Sequence, residues 1–162
     1  QSFGSERTGA PVVAFCRIDD KEIRLREPIM QPDALIIQDP TLLHQVDVFS
    51  GLKKDGYILI NTTHSFAKLG LTEFAADFRP ERLLSVPATD LAMKHVGRPV
   101  PNVPLLGAFA ALGGLVTLDA VHAAIEQKFS GKVARGNRAA ADEAFEIVMK
   151  AVTDKEAQVQ HA

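Results

Sequence analysis

The chain has 162 residues, 46% of them apolar and 23% charged, the balance of one globular domain with a sizeable core. Its formal net charge of −2 leaves no basic footprint for nucleic acid and no polybasic patch for membrane insertion or surface binding, and no apolar run approaches the roughly 18 residues of a membrane span. Cys16 is the single cysteine, which excludes a disulfide, an iron–sulfur cluster or a cysteine-rich zinc site held within this chain, and a reducing cytoplasm is the simplest compartment. No signal-peptide pattern is read at the start, yet the sequence opens on Gln1 in loop-like residues, so we expect a further N-terminal segment in the parent protein.

The opening stretch, Gln1 to Pro11, combines Gly4 and Gly9 with Ser2, Ser5, Thr8, Glu6 and Arg7. Glycine opens backbone conformations closed to other residues, and arginine offers a planar fork for phosphate or carboxylate. A solvated surface loop is the plain alternative. Val12–Ile18 alternates bulky and small residues and predicts a strand, with Cys16 buried and inert. Ile23 and Leu25 among charged neighbours predict a short edge strand.

Ala34–Ile37 is a short apolar run that predicts a strand buried on both faces. Asp39-Pro40 then reads as a helix cap and first turn, with a helix running to about Gly51. Tyr57–Ile60 predicts another buried strand, Asn61–Leu69 a short helix stopped by Gly70, and Thr72–Phe78 a second. Arg82–Val86 predicts a third strand, and Pro87-Ala88-Thr89-Asp90 opens a helix that Gly97 closes. Helices follow over Leu105–Leu112 and along the stripe Leu118, Val121, His122, Ile125 and Phe129. A last helix, capped by Asn137, buries Ala141, Ala144, Phe145, Val148 and Val152, with Arg138, Asp142, Glu146 and Lys150 on its solvated face. The tail from Lys155 is expected to fray.

This order of elements predicts an α/β fold: three layers, a mixed, mostly parallel sheet with helices on both faces, and a helical C-terminal third, in a single domain over residues 1–162. The five histidines form no HxH or HExxH pattern, no serine sits in a GxSxG elbow, and no complete phosphate loop occurs. Of the histidines, His64 follows a buried strand, where open sheets form ligand crevices.

Ser2-Phe3-Gly4-Ser5-Glu6-Arg7-Thr8-Gly9-Ala10-Pro11-Val12 resembles the S-F-G-P-E-R-R-G-A-P-V stretch of the gamma subunits of 2-oxoacid:ferredoxin oxidoreductases, pyruvate synthase and its relatives. The similarity continues through Asp33–Ile36, Gly56–Asn61, Val86–Thr89, Asn102–Phe109 and Asn137 with Ala141, in the family's order. Ser5 and Thr8 depart from the family's Pro and Arg, which lowers the positive charge of the loop. The family's glycine-rich segment, which precedes the S-F-G motif, does not occur in these 162 residues.

The resemblance implies a division of labour. Alpha and beta subunits would bind thiamine diphosphate with Mg2+, a ferredoxin-like subunit would carry [4Fe–4S] clusters, and the complex would convert a 2-oxoacid to an acyl-CoA. Electrons would pass to ferredoxin or another acceptor. This chain, with no catalytic residue and no metal of its own, would assist assembly and position coenzyme A. Gly4, Glu6, Arg7, Thr8 and Gly9 would face the coenzyme or the thiamine subunit. The alternative is a stand-alone α/β module that binds a small ligand without catalysis.

Overall fold

The computed structural model describes residues 10–161. Its centre is a parallel sheet of β1 (Ala34–Ile37), β2 (Tyr57–Asn61) and β3 (Leu83–Val86), in that spatial order. Ile36 lies opposite Leu59, and Leu59 opposite Leu84. Ile58, Leu59 and Ile60 of the central strand are fully buried, the outcome expected for an apolar run covered on both faces.

One face carries Leu59, Leu84 and Val86. Against it pack α2 (Ala88–Val96), α3 (Asn102–Ala111) and α5 (Gly131–Gln160) through Leu91, Leu105, Ala108, Ala144 and Val148. The opposite face carries Ile37, Ile58, Ile60 and Leu83. It is covered by the crossover segments, including the 3₁₀ turn Pro40–His44 and the short α1 (Thr72–Ala75), whose Phe74 stacks on Phe49 with ring centroids 4.2 Å apart. A third cluster joins α3, α4 (Leu118–Lys128) and α5 through Ala110, Val121, Ile125 and Ala141.

Local signals set the helix ends. Asp39 accepts a hydrogen bond from the Thr41 amide, and Thr117 caps α4 through the Ala120 amide at 3.1 Å. Gly97 ends α2 in the left-handed conformation, at φ 78°. Gly107 serves close approach instead: a Cβ there would lie 2.2 Å from the Ala141 carbonyl oxygen, so α3 and α5 meet almost backbone to backbone.

Several expectations need correction. Val12–Ile18 and Ile23–Leu25 form no strand, so the antiparallel part of the sheet is not seen among the described residues. Strand amides need a neighbouring strand, and none of the described strands pairs with them; Val12 is 84% and Val13 72% exposed. Cys16 is accordingly exposed rather than buried. The helix expected from Asp39 to Gly51 is one 3₁₀ turn followed by turns, residues 62–69 after β2 form bends and turns in place of the short helix, and α1 stops at Ala75.

Asn137 does not cap the last helix. That helix starts at Gly131, and the Asn137 amide lies buried inside it, donating to the Val133 carbonyl at 3.0 Å. Nor does the tail fray, since α5 continues to Gln160.

Candidate functional site

Parallel strands end on the same side of a sheet, so the loops that follow them converge. Gln38 and Asp39 after β1, Thr62 to His64 after β2, and Pro87 with Thr89 and Asp90 after β3 enclose a polar crevice of about 450 Å3.

Asn61, the last residue of β2, organises this crevice. It is only 8% exposed. Its Nδ2 donates to the Gln38 carbonyl and to the Thr89 hydroxyl, each at 2.9 Å, and its Oδ1 accepts from the Thr89 amide at 3.2 Å. One side chain thereby ties β2 to the end of β1 and to the first turn of α2. The Thr62 amide donates to the Val86 carbonyl at 3.0 Å, which carries the β2–β3 ladder one step into the loop. Gln38 Nε2 donates to Asn102 Oδ1 at 3.0 Å and so fixes the start of α3 to the same edge.

The electrostatics are those of a hydrogen-bonding site with acidic edges. Asp39 accepts from the Thr41 hydroxyl at 2.7 Å and from the Thr41 amide at 2.9 Å, and these bonds hold its carboxyl below the ordinary aspartate value. Asp90 lies in the first turn of α2, where a negative charge suits the helix dipole. Among the described residues the lining includes two carboxylates and three threonine hydroxyls but no lysine or arginine. Such a surface accepts hydrogen bonds from hydroxyl and amide groups and repels phosphate.

His64 is exposed at the rim, its amide bonded to Thr62 Oγ1 at 3.1 Å. Among the described residues no group of three or more His, Cys, Asp or Glu side chains is placed to hold a metal ion. His95 and His122 serve as bolts: their Nε2 atoms hydrogen-bond the α5 carboxylates Glu143 and Asp142.

The five residues assigned to the opening loop, Gly4, Glu6, Arg7, Thr8 and Gly9, lie outside the described residues. The role of Asn61 escaped the sequence reading, although a lone amide at the end of an apolar strand was a visible signal. Gln38, Thr89 and Asp90 gave no such signal, because they reach the crevice from separate loops.

A family profile described as pyruvate ferredoxin/flavodoxin oxidoreductase matches residues 1–147. The chain belongs to this family. Within the pyruvate oxidoreductase family it is similar to gamma subunits. It is 44% identical over 144 residues to the pyruvate/ketoisovalerate oxidoreductases common subunit gamma of Pyrococcus abyssi, covering 89% of this chain and 76% of that one. It is 43% identical over 148 residues to the pyruvate synthase subunit PorC of Methanocaldococcus jannaschii, covering 91% and 78%.

The crystal structure of the pyruvate oxidoreductase subunit PORC of Thermotoga maritima superposes with a TM-score of 0.62 at 31% identity. The superposition covers 73% of this chain and 64% of that one, so less than two thirds of the solved subunit is spanned. The α/β class and the family expected from the sequence both hold.

Proposed function

We propose that the chain is the gamma subunit of a thiamine-diphosphate-dependent 2-oxoacid oxidoreductase complex. Such a complex oxidatively decarboxylates a 2-oxoacid to an acyl-CoA and passes electrons to ferredoxin or another acceptor. The observation that carries this reading is the family match over residues 1–147, together with gamma-subunit relatives above 40% identity. The thiamine diphosphate, Mg2+ and [4Fe–4S] clusters belong to the alpha, beta and ferredoxin-like partners; a cluster bound by four thiolates cannot be built on the one cysteine of this chain.

The single gamma-type domain contributes assembly contacts and a seat for coenzyme A. Coenzyme A has an anionic end and a neutral pantetheine arm with hydroxyl and amide groups. Arg7 supplies the fork for phosphate, and Gly4 and Gly9 let the backbone come close. Glu6 and Thr8 complete the loop's polar contacts. The carboxyl-end crevice, lined by Asp39, Asn61, Thr89 and Asp90 and with no cationic side chain among the described residues, suits the neutral arm. When bound, the coenzyme supplies the thiol that takes the acyl group.

Arg7→Ala tests this assignment in the assembled complex. Loss of one charge-assisted phosphate contact raises KM for coenzyme A about tenfold, or weakens subunit assembly, while the isolated chain unfolds as the wild type does. Unchanged coenzyme A kinetics with unchanged assembly overturns it. Purification addresses the wider reading: the chain is expected in a brown, thiamine-containing complex, whereas a colourless monomer that binds a small ligand alone supports the stand-alone module.

A further inference from the structure

The free edge of β3 borders a second crevice, distinct from the carboxyl-end site. It has a volume of about 540 Å3, within the range of small-molecule pockets, and its walls include Phe66, Ala75, Leu83, Ala151 and Lys155. Its lining is dominated by apolar side chains, and among the described residues Lys155 is the one charged residue in it. Lys155 Nζ donates to the Leu83 carbonyl at 2.6 Å and lies 6.0 Å from the centre of the Phe66 ring. An ammonium has three N–H donors, and this bond uses one. Burial strips water from the group and holds it below the ordinary lysine value, with Glu81 opposing the shift.

Ala151 and Lys155 lie beyond residue 147, where the family match ends, so this wall is an addition to the matched region. β3 pairs only with β2 among the described residues, yet its edge is a poor template for strand addition, because the Leu83 carbonyl is already taken. A single cation with unspent donors at the end of an apolar trough fits a different occupant. We propose that this crevice binds a small aliphatic monocarboxylate, its chain along Phe66, Ala75 and Ala151 and its carboxylate on Lys155. A monoanion matches the one charge, and the apolar walls exclude a strongly hydrated polyanion.

Octanoate is the probe, titrated calorimetrically into the full chain in the assembly in which it purifies, with octanol as the uncharged control. Octanoate is expected to bind, and Lys155→Met to weaken it about tenfold or more while leaving octanol binding unchanged. Lys155→Arg retains octanoate binding, and Ala151→Phe, which fills the trough, abolishes binding of both probes. If the variants unfold, the wild-type Lys155 ε-CH2 resonance decides, since it is expected to shift on titration with octanoate. Absence of octanoate binding to the wild type, undiminished binding by either Lys155→Met or Ala151→Phe, or a Lys155 resonance that does not move overturns the proposal.

Discussion

Asn61 spends both ends of its amide on groups from other segments, the Gln38 carbonyl and the amide and hydroxyl of Thr89. Replacing it with Ala removes three hydrogen bonds from groups that are half-buried at Thr89 and exposed at Gln38, a loss of about 1–3 kcal/mol in all. Asn61→Ala is therefore expected to lower the unfolding free energy by that amount, read as a lower urea midpoint with an unchanged slope. Asn61→Asp is the sharper test. A carboxylate has no donor for the Gln38 carbonyl, and it adds charge to a crevice that already holds Asp39 and Asp90. It should destabilise at least as much as Ala at neutral pH, and a stability equal to wild type would show that the three-way tie is not what holds the strand ends.

The same edge-to-edge logic applies to α2 and α5, but through ions. Glu143 accepts from Lys94 Nζ at 2.9 and 3.0 Å and hydrogen-bonds His95 Nε2. The Lys94 bond, followed by the His95 bond, holds its carboxyl below the ordinary glutamate value against the opposing effect of burial. Because the folded pKa is the lower one, this contribution is fully present above the unfolded value and is lost as pH falls through the folded value. Glu143→Gln is thus expected to flatten the acid limb of a stability–pH profile by less than about 1 kcal/mol, as befits a partly exposed pair. An unchanged limb would assign acid sensitivity elsewhere.

At the scale of whole elements, the contact of α3 with α5 is the least forgiving. A Cβ on Gly107 would sit 2.2 Å from the Ala141 oxygen and 2.7 Å from its Cα, backbone atoms that no rotamer change can move. Gly107→Ala raises helix propensity, worth about 1 kcal/mol in an exposed helix, yet here the clash wins and the expected net loss is about 1–3 kcal/mol in chemical denaturation. A gain would mean that the two helices separate readily.

β1, β2 and β3 are legible in the sequence because a buried parallel strand needs an unbroken apolar run, and α2 because Gly97 marks its end. The start of α5 is not. Asn137 resembles a cap by residue type, but only packing reveals that its side chain bonds back into its own helix and that Gly136 faces the His95 carbonyl. Its polar tail reads as loose for a similar reason: the contact that anchors it, Lys155 on Leu83, spans 72 residues of sequence. The carboxyl-end crevice is equally nonlocal, since three separate loops build it.

At the scale of the molecule, residues 10–28 stand apart from the folded body. None of their side chains belongs to the three core clusters, and Phe15, Ile18 and Leu25 are exposed. Their contacts are short-range, such as Arg17 Nη2 to the Glu27 carbonyl at 2.8 Å and Lys21 N to Asp19 Oδ1 at 3.0 Å. Attachment to the body begins at Met30, whose carbonyl oxygen would lie 2.0 Å from a Cβ on Gly51, and continues where the Pro32 carbonyl accepts from the Lys53 amide at 3.4 Å and the Asp33 carbonyl from the Tyr57 amide at 2.9 Å. The strand pattern of Val12–Ile18 is a capacity to pair, and a strand alone is not stable in water.

Removing residues 10–26 from the chain is therefore expected to leave it cooperatively folded and within about 1 kcal/mol of the full one, the scale of surface changes that touch no core group. Trypsin should cleave the intact chain first at Arg17, Lys21, Arg24 and Arg26, well before Arg135, Arg138 or Lys150 within α5, because amides outside cooperative structure open at little free-energy cost. If the segment instead completes the sheet in solution, the truncated chain loses cooperative unfolding and those four sites resist the protease. The isolated chain separates the two readings, and there the exposure of Val12 and Val13 favours rapid cleavage.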